Sequence, residues 1–461
     1  MSRIRTTAAV LAGKSVGVAT RVLRRGGGTA LPGLVAERVD RGLVANLGRT
    51  LGRGRVMVTG TNGKTTTSRI IAAAFDAAGI PYVHNREGSN LMRGMASTLL
   101  AQAGLSGSIP GAASKAGMFE ADEATMPAAV AALQPRVIAF TNLFRDQLDR
   151  YGEVDTVAML WKRALEGAPR DATLVLNADD PSVAELARDW AGPVHWFGLD
   201  DAAFATQTAG AFDARWCGCG GDYRYDRRYF AHVGWWRCTN CDSKRPEPHT
   251  SASGLALDLN DATFEVDGLG SVEMPLTGLY NVYNALAAVA ACRAFGVPDE
   301  ALREGLRSVR PAFGRQEVVD LKGRNLRLFL AKNPAGANQV LLLMRELARR
   351  RGALKVALLL NDRFADGQDV SWIWDVDHEL LAGSVELCWA GGDRAEDLAV
   401  RLKYAGWPAP GLVTHSPAAL LDAVLAETVA GDDVFVIPTY TAMLDLRQEL
   451  LERGAVAGAM E

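Results

Sequence analysis

The sequence lacks an excess of charge of either sign and lacks any long hydrophobic run. Its 461 residues include 53 acidic and 50 basic side chains, so the formal net charge of -3 gives no general attraction to nucleic acid. No stretch reaches the roughly 18 consecutive apolar residues that cross a bilayer. Hydrophobic residues make up 48% of the chain, an ordinary share for a soluble globular protein. The length predicts about two to four domains.

Cysteine is scarce as well, with six in the chain. Cys292 and Cys388 stand alone in apolar segments, which predicts buried core thiols. The other four form a CxC…CxxC pattern: Cys217, Cys219, Cys238 and Cys241. This pattern predicts a structural Zn²⁺ site, since four protein ligands leave no coordination position open for catalysis. Two disulfides are the alternative, and the cytoplasmic, reducing location that this cysteine usage favours argues against them.

The first residues are basic, and their apolar run is short. Lys14 and Arg21 interrupt it, so the pattern indicates an amphipathic surface helix rather than a signal peptide. The basic residues of the segment are Arg3, Arg5, Lys14, Arg21, Arg24 and Arg25. Such a set suits peripheral contact with an anionic membrane, at the inner face of the plasma membrane. We expect helices here, broken by the glycines at 26–28 and by Pro32.

Short apolar strands alternate with helical segments along most of the chain, which predicts α/β sheets covered by helices. In the first part, strands are predicted at residues 55–59, 137–140, 173–176 and 194–197, and helices at 65–78 and 281–295. Near residues 311–314 the chain crosses into another domain. There, strands are predicted at residues 326–330, 356–360, 385–389 and 434–437, and helices at 339–351 and 394–404.

A glycine loop between a strand and a helix carries the clearest chemical signal. Gly60 and Gly63 let backbone N–H groups approach phosphate oxygens with no Cβ in the way. Lys64 supplies a positive charge to the terminal phosphates, and Thr65 offers a hydroxyl to Mg²⁺. Val58 stands where the general phosphate-loop pattern has another glycine, so the match to that pattern is partial. The order strand, loop, helix predicts nucleotide binding.

Residues 59–67 (TGTNGKTTT) resemble the ATP loop of the Mur ligases and folylpolyglutamate synthases. Residues 277–284 (TGLYNVYN) are similar to the family's adenine-side segment G-x-x-N-x-x-N, and residues 314–317 (GRQE) to its GRxE motif. The resemblance implies that ATP is the cofactor. It implies these ATP-binding residues: Gly60, Thr61, Asn62, Gly63, Lys64, Thr65, Thr66, Asn281 and Arg315.

The same resemblance implies a magnesium site. The FEADE segment places Glu120 where the family has a Mg²⁺-binding glutamate, together with Thr65, and carboxylate oxygen suits this hard cation. Residues 141–150 (TNLFRDQLDR) are similar to the family's TN…DHLDRxG segment, with Gln147 in place of a metal-binding histidine. Lys162 stands at the spacing of a carbamylated lysine that bridges a second metal in many Mur ligases.

The cysteine-rich insertion, at about residues 213–246, narrows the resemblance to the MurT family of synthetase subunits. Residues 331–336 (AKNPAG) replace the DxAHNP-type segment of amino-acid-adding Mur ligases, and Phe329 and Lys332 stand where those enzymes have Asp and His. Residues 361–375 (NDRFADGQDVSWIWD) are similar to a MurT C-terminal signature. The implied organisation is a helical segment at 1–45, a Mur-ligase central ATP-binding domain at 46–312 and a C-terminal Rossmann-like α/β domain at 313–461.

This resemblance implies ATP-dependent amidation of the D-glutamate α-carboxyl in the lipid II stem peptide, through an acyl phosphate that ammonia attacks. Lys64 and Mg²⁺ would stabilise charge on the transferred phosphoryl group. The chain has no convincing glutaminase nucleophile, so the resemblance implies a separate GatD-type glutaminase partner. A synthetase aspartate completes the partner's triad in that family. Asp366 is the first candidate and Asp369 the second, with loop capping as the alternative for both.

Two other interpretations remain. An amino-acid-adding Mur ligase or a folylpolyglutamate synthase would share the ATP loop, but the AKNP segment and the cysteine insertion argue against both. A non-catalytic nucleotide-binding scaffold would explain Gln147 as lost metal catalysis and the cysteine insertion as a docking module. Intact Lys64, Thr65 and Glu120 argue against that scaffold. ATP turnover that depends on ammonia would distinguish the three interpretations.

Overall fold

Three helices open the chain in the computed structural model, which describes residues 2–22, 31–85, 89–146, 154–205, 213–311 and 315–456. These helices are α1 Ser2–Val22, α2 Leu31–Val39 and α3 Leu43–Gly48. The Thr6 hydroxyl of α1 donates to the Asp40 carboxylate at 2.7 Å and ties α1 to the end of α2. The prediction that Pro32 breaks the helix is wrong. Pro32 lies in the first turn of α2, where no intrahelical N–H is needed.

Residues 55–308 form a first unit around a nine-stranded sheet. Its first elements are β1 Arg55–Thr59, α4 Lys64–Ala77, β2 Tyr82–His84, α5 Met92–Gln102, β3 Ala116–Glu120, α6 Met126–Leu133, β4 Val137–Phe140, α7 Val154–Glu166, β5 Thr173–Asn177, α8 Pro181–Ala184 and β6 Val194–Leu199. There follow β7 Tyr223–Phe230, β8 Val233–Cys238, β9 Thr250–Leu257, β10 Ala262–Val266, β11 Gly270–Met274, α9 Leu279–Phe295 and α10 Asp299–Ser308. Short 3₁₀ turns lie at Ala112–Ser114, Glu123–Thr125, Glu185–Ala187 and Ala202–Phe204.

The strands of this sheet lie in the order β11-β10-β9-β6-β5-β4-β1-β3-β2. The strands from β9 to β2 in this order run parallel, and β10 and β11 add an antiparallel edge. The predicted strands at β1, β4, β5 and β6 are confirmed. Val56, Met57 and Val58 of β1 are fully buried because helices cover both faces of the sheet.

Residues 315–456 form a second unit around a six-stranded sheet of order β12-β13-β17-β14-β15-β16, in which β12 is antiparallel. Its elements are β12 Arg315–Leu321, β13 Arg324–Phe329, α11 Pro334–Arg351, β14 Leu354–Leu359, β15 Val385–Gly391, α12 Ala395–Tyr404, β16 Leu412–Thr414, α13 Pro417–Glu427, β17 Asp433–Pro438 and α14 Tyr440–Glu452. 3₁₀ turns lie at Ser371–Asp375 and His378–Leu381. The predicted α/β class is confirmed, and so is the predicted second series of alternating strands and helices after residues 311–314.

The antiparallel pair β7–β8 stands apart from both sheets as a small ribbon. Its two strands join at residues 231 and 232, and Ala231 has a positive φ of 42°. The Trp236 indole donates to the Ala178 carbonyl at 2.9 Å, so the ribbon is fixed to the loop that follows β5. No helix among the described residues has the length and apolar character needed to cross a membrane.

Candidate active site

The glycine loop, residues 60–63, leads from the carboxyl end of β1 into the first turn of α4. Gly60 and Gly63 have positive φ angles of 143° and 86°. A side chain at Gly60 would overlap the Thr141 hydroxyl, and one at Gly63 would overlap the Asn284 amide oxygen. Glycine therefore meets both a conformational and a steric requirement here. The unpaired N–H groups at the start of α4 face the same loop, an arrangement that binds anions.

The segment that follows β4 braces this loop. The Asn142 amide oxygen accepts a hydrogen bond from the Asn62 N–H at 2.9 Å, and its amide nitrogen donates to the Asn62 carbonyl at 3.1 Å. The Thr61 hydroxyl accepts from the Phe144 N–H at 2.9 Å. Strands β1 and β4 are parallel neighbours, so their carboxyl ends meet at one edge of the sheet, where ligands bind in open α/β sheets.

Lys64 is buried at this edge among acidic side chains. Its ammonium donates to the Glu123 carboxylate at 3.1 Å and to the carbonyl of Gly60. Burial lowers the pKa of Lys64, but the nearby carboxylates, Glu123 first and then Asp122 and others, raise it above its ordinary value. The lysine is therefore a fixed positive charge at working pH. Burial also raises the pKa of Glu123, against the opposing effect of Lys64.

Glu120 ends β3, and the strand register pairs it with Val58 of β1. Its carboxylate lines the same cavity as Thr65, and among the described residues it has no hydrogen-bond or ion-pair partner. The Glu120 backbone is held by Asn85, whose amide accepts from the Glu120 N–H and donates to its carbonyl at 2.8 Å each. The third predicted magnesium ligand, Gln147, lies outside the described residues.

The second unit closes the cavity from the other side. Lys332 forms an ion pair with Asp146 at 2.6 Å, and the Asn333 amide donates to Asp146 at 3.2 Å. Asn333 and Asn62 also exchange amide hydrogen bonds at 3.1 and 3.3 Å. Burial raises the pKa of Asp146. The charge of Lys332 and its hydrogen bond lower that pKa by more, so the pKa of Asp146 lies below its ordinary value. The AKNP segment thus contacts the glycine loop directly.

The predicted adenine side lies at the first turn of α9. The Asn281 amide donates to the Thr277 carbonyl at 2.9 Å and accepts from Asn284 at 3.1 Å. Gln316 of β12 has a positive φ of 61°, and its side chain accepts from the Thr277 N–H and donates to the Tyr280 hydroxyl. Asn281, Asn284, Tyr280 and Gln316 all line the cavity. The Arg315 side chain lies outside the part that the structure describes.

The four clustered cysteines come together at the base of the ribbon. Their sulfur atoms lie within 4.8 Å of one another. Cys217 and Cys241 are 3.7 Å apart, and Cys219 and Cys238 are 3.5 Å apart, with no disulfide among them. Hydrogen bonds from Ser243 lower the pKa of Cys241 to about 6. These four side chains could hold one tetrahedral metal ion.

The other end of the ribbon reaches the cavity. Phe230, the last residue of β7, lines the cavity, and the ring of His232 packs on Phe144 at 4.8 Å. His232 is fully buried and lies 3.3 Å from the Asp180 carboxylate. Burial lowers the pKa of His232, but Asp180 raises it by more. The ribbon thus connects the cysteine cluster to the segment that braces the glycine loop.

The two predicted triad aspartates occupy one loop of the second unit but differ in access. Asp366 is buried, and its carboxylate accepts from the Thr441 N–H at 2.8 Å and from the Thr441 hydroxyl, at the start of α14. Burial raises the pKa of Asp366. Asp369 is exposed and accepts from the Ser371 N–H at 2.9 Å. Both hydrogen-bond patterns fit loop capping, and Asp369 is the one open to a partner.

Lys162 and the two isolated cysteines do not reach the cavity. Lys162 lies on α7 with its ammonium 3.9 Å from Glu185 and does not line the cavity, so its role as a carbamate stays a prediction. Cys292 and Cys388 are buried, as predicted. Burial raises the pKa of Cys388 to about 11, and its thiol donates to the Pro408 carbonyl. Neither thiol has the character of a nucleophile.

Sequence reasoning missed three site residues. Glu123 forms the ion pair with Lys64, and Tyr280 and Gln316 line the cavity. The signal for Glu123 was available, because it follows Glu120 by three residues in the FEADE segment. Gln316 was part of a recognised motif, but no pattern in the sequence indicates its positive φ.

Two family models match parts of the chain. A family model described as MurT ligase C-terminal matches residues 330–443, and a model described as Mur ligase middle domain matches residues 58–216. The sequence is 34% identical to the lipid II isoglutaminyl synthase (glutamine-hydrolyzing) subunit MurT of Streptococcus pneumoniae, over 99% of each chain. It is 32% identical to the subunit of that name from Staphylococcus aureus strain COL, over 92% of this chain and 93% of the other.

Solved structures share the fold at lower identity. A pseudomurein peptide ligase type C from Methanothermus fervidus superposes with a TM-score of 0.65 at 20% identity, over 87% of this chain and 79% of that chain. A UDP-N-acetylmuramoylalanyl-D-glutamyl-2,6-diaminopimelate--D-alanyl-D-alanyl ligase from Acinetobacter baumannii superposes with a TM-score of 0.63 at 16% identity, over 91% and 80% of the two chains. These two likenesses establish a Mur-ligase-like fold.

Proposed function

The chain belongs to the MurT family of Mur-type ligases, and from this premise we propose that it is the synthetase subunit of a lipid II isoglutaminyl synthase. It converts the α-carboxyl of D-glutamate in the lipid II stem peptide to the amide of D-isoglutamine. A glutaminase subunit of the GatD type supplies the ammonia. The observation that carries this proposal is the cavity in which the glycine loop and the AKNP segment of the second unit meet.

The reaction proceeds in two steps. The γ-phosphoryl group of ATP moves to the carboxylate, giving an acyl phosphate and ADP. The nitrogen of ammonia then attacks the carbonyl carbon, phosphate leaves with the electron pair of the C–O bond, and the nitrogen loses a proton. Lys64 and the N–H groups at the start of α4 stabilise the negative charge on the transferred group. The second unit contributes Lys332 to the same cavity, where an amino-acid-adding ligase would hold its amino acid.

The side chains at the loop suit Mg²⁺. The Glu120 carboxylate is buried without a partner among the described residues, which leaves its oxygens free for a hard cation, and the Thr65 hydroxyl lines the same cavity. Gln147 completes our proposed set of ligands. When bound, Mg²⁺ would neutralise negative charge on the phosphates of ATP. Glu120 and Thr65 would hold the ion, whereas Asp146 is already engaged by Lys332.

The cysteine cluster suits Zn²⁺. A tetrahedral site with Zn–S bonds of about 2.3 Å places its sulfur atoms about 3.8 Å apart. Two of the sulfur pairs, Cys217–Cys241 at 3.7 Å and Cys219–Cys238 at 3.5 Å, are close to that spacing, and all four sulfur atoms lie within 4.8 Å of one another. We propose a structural zinc ion, since four thiolates leave no open position.

We further propose that residues 46–312 are the central ATP-binding domain and residues 313–461 a C-terminal domain that faces the glutaminase. In the C-terminal domain we retain Asp366 and Asp369 as candidates to complete the partner's triad. The exposure of Asp369 favours it over Asp366, whose carboxylate is occupied by Thr441. A carboxylate that orients a partner's histidine must be reachable from outside the chain.

The test is amidation by the purified chain with ATP, Mg²⁺, lipid II and ammonium chloride, followed by mass spectrometry. We expect the mass change of one OH replaced by NH₂. Glutamine should replace ammonium only after a GatD-type subunit is added. Incorporation of a free amino acid instead of ammonia would identify an amino-acid-adding ligase, and ATP binding without any product would identify a scaffold. Either result would overturn the proposal.

A further inference from the structure

The N-terminal helix α1 presents an apolar stripe to solvent. Ile4, Leu11 and Val18 follow one another at intervals of seven residues, and 80%, 45% and 56% of their surfaces are exposed. Seven residues are close to two helical turns, so these side chains share one face of α1. A different face holds α1 against the protein, where Ala9 and Val10 are fully buried. The exposed stripe is therefore not needed to fold the helix layer.

Along the sequence, basic residues accompany this stripe and acidic residues are absent. The first 36 residues contain six basic residues and no Asp or Glu, in a chain whose net charge is -3. Lys14 follows Leu11 by three residues and precedes Val18 by four, so it lies beside the stripe. Apolar side chains flanked by basic ones, without acidic ones, complement an anionic lipid surface.

The stripe lies in the layer that adjoins the cavity. α1 packs on α2 and α5, and Gly33 of α2 lies against Arg93 and Ser97 of α5. α5 begins at Met92, two residues after Asn90, which lines the cavity. The layer to which α1 belongs therefore includes a helix, α5, that begins beside the cavity.

From this geometry we propose that α1 lies in the surface of an anionic lipid bilayer. Ile4, Leu11 and Val18 insert among the acyl chains, and Lys14 remains at the headgroups. The biological role of this contact rests on the proposed function, because a substrate with a lipid tail is presented at a membrane surface. Membrane binding itself requires neither ATP nor ammonia.

The structure favours a membrane over a second copy of the chain. Ala8 and Ser15, which complete the exposed face, are small, and serine is polar, so two such faces would bury little apolar area against each other. Two copies would also bring the basic segments together and repel each other. Anionic lipid removes that repulsion and replaces it with attraction.

The experiment is vesicle co-sedimentation with the full chain. We compare vesicles of phosphatidylcholine alone with vesicles that contain phosphatidylglycerol as well. Because each Lys or Arg near an anionic surface strengthens binding several-fold, we expect a partition coefficient at least about tenfold higher on the anionic vesicles, falling as salt is added. The stripe variant Ile4→Gln/Leu11→Gln/Val18→Gln should lose at least about tenfold in that coefficient.

A matched control has three exposed valines elsewhere changed in the same way: Val400→Gln/Val413→Gln/Val429→Gln. This variant should bind anionic vesicles as the wild type does. The proposal is overturned if the wild type shows no preference for anionic vesicles, or if the stripe variant binds like the control. It is also overturned if the stripe drives dimerisation in size-exclusion chromatography without vesicle binding, since its occupant is then a second copy.

Amidation of a soluble stem-peptide fragment, which has no lipid, separates this inference from the proposed function. The stripe variant should amidate that fragment at the wild-type rate, which also shows that it is folded. If the wild type amidates no substrate and still binds anionic vesicles through the stripe, the proposed function fails and the membrane contact stands. If it amidates the fragment but does not bind vesicles, the function stands and the membrane contact fails.

Discussion

Lys64 is a buried cation among carboxylates, and its removal should separate catalysis from folding. In Lys64→Ala we expect the rate of amidation to fall at least about 100-fold, since a preorganised donor to the transferred phosphoryl group is lost. The fold should persist, because burial already raises the pKa of Glu123, which can take up a proton once the lysine is gone. The measurements are the amidation rate and the thermal unfolding of the same preparation.

Lys162→Ala is the matched control, since it removes the same side chain from an exposed site beside Glu185. We expect wild-type activity in that variant. A large loss of activity in Lys162→Ala that added bicarbonate or a short carboxylic acid reverses would instead support the predicted carbamate at Lys162.

His378 is a buried imidazole whose protonation should set part of the acid sensitivity. Its ring packs edge-on against Trp407 at 5.9 Å, and its Nδ1 has no hydrogen-bond partner among the described residues. Burial, with a smaller contribution from Arg401, lowers the pKa of His378 from 6.5 to about 3. Below pH 6.5 the unfolded chain therefore binds a proton that the folded chain does not, and stability falls as the pH decreases toward 3.

We expect this linkage to cost about 2 kcal/mol of unfolding free energy between pH 7 and pH 5. His378→Phe keeps an aromatic ring against Trp407 and removes the titrating group, so its stability should fall less over the same interval. Urea unfolding of both proteins at the two pH values measures the difference. Equal losses in both would show that His378 is not neutral in the folded state.

The ribbon β7–β8 connects the cysteine cluster to the cavity, so a change at the cysteine cluster should alter nucleotide binding in the cavity. Cys241→Ser removes one ligand of the proposed zinc site, so we expect loss of bound zinc and at least about 2 kcal/mol of stability. The KM for ATP should rise as well, because Phe230 lines the cavity and His232 packs on Phe144. Metal analysis, unfolding and steady-state kinetics measure the three effects.

Arg224→Ala, on an exposed position of the same strand, is the control and should leave all three quantities unchanged. A Cys241→Ser protein that loses its zinc but keeps its KM for ATP would show that the ribbon is stable without metal. Its contact with the segment after β4 would then be independent of the cysteine cluster.

Most elements followed from local patterns in the sequence. β1 is a run of apolar residues, as expected for a strand that is covered on both faces of its sheet. In α4, the buried apolar residues Ile70, Ile71 and Phe75 recur at helical spacing. Pro32 was misinterpreted because a proline signal does not distinguish the start of a helix from its interruption. The predicted helix at residues 339–351 begins earlier, at Pro334, where Asn333 caps it.

The contacts that close the cavity were beyond the reach of such patterns. Lys332 meets Asp146 across 186 positions of sequence, and Asn62 meets Asn333 across 271. The sequence marks Lys332 as a changed residue of a family motif, but it does not indicate that Asp146 is the ion-pair partner of Lys332. These side chains meet because the two units pack against each other. Neither hydrophobic periodicity nor turn residues in the sequence predict how two units pack.

At the scale of the whole molecule, two sheets share one cavity, and Lys332 should hold them together. We expect Lys332→Ala to weaken closure, with a loss of about 1–3 kcal/mol, because a buried Asp146 is left without its ionic partner. The KM for ATP should rise, and the radius of gyration from small-angle X-ray scattering should increase in the absence of nucleotide.

Lys355→Ala provides the comparison, since Lys355 pairs with Glu386 and Asp432 inside the second unit and loses the same charge without touching the contact between units. It should leave the scattering profile and the KM unchanged. If Lys332→Ala raises the KM while the radius of gyration stays constant, the lysine acts on the substrate rather than on closure.

The division of the cavity between two units has a consequence for the rate of turnover. Asn62 and Asn333 exchange hydrogen bonds across the boundary, and we expect these bonds to break when ADP and phosphate leave and to form again around the next nucleotide. We therefore expect each turnover to include an opening and a closing of the boundary between the two units. Friction from the solvent opposes that movement, and the fastest attainable turnover falls as the viscosity of the medium rises.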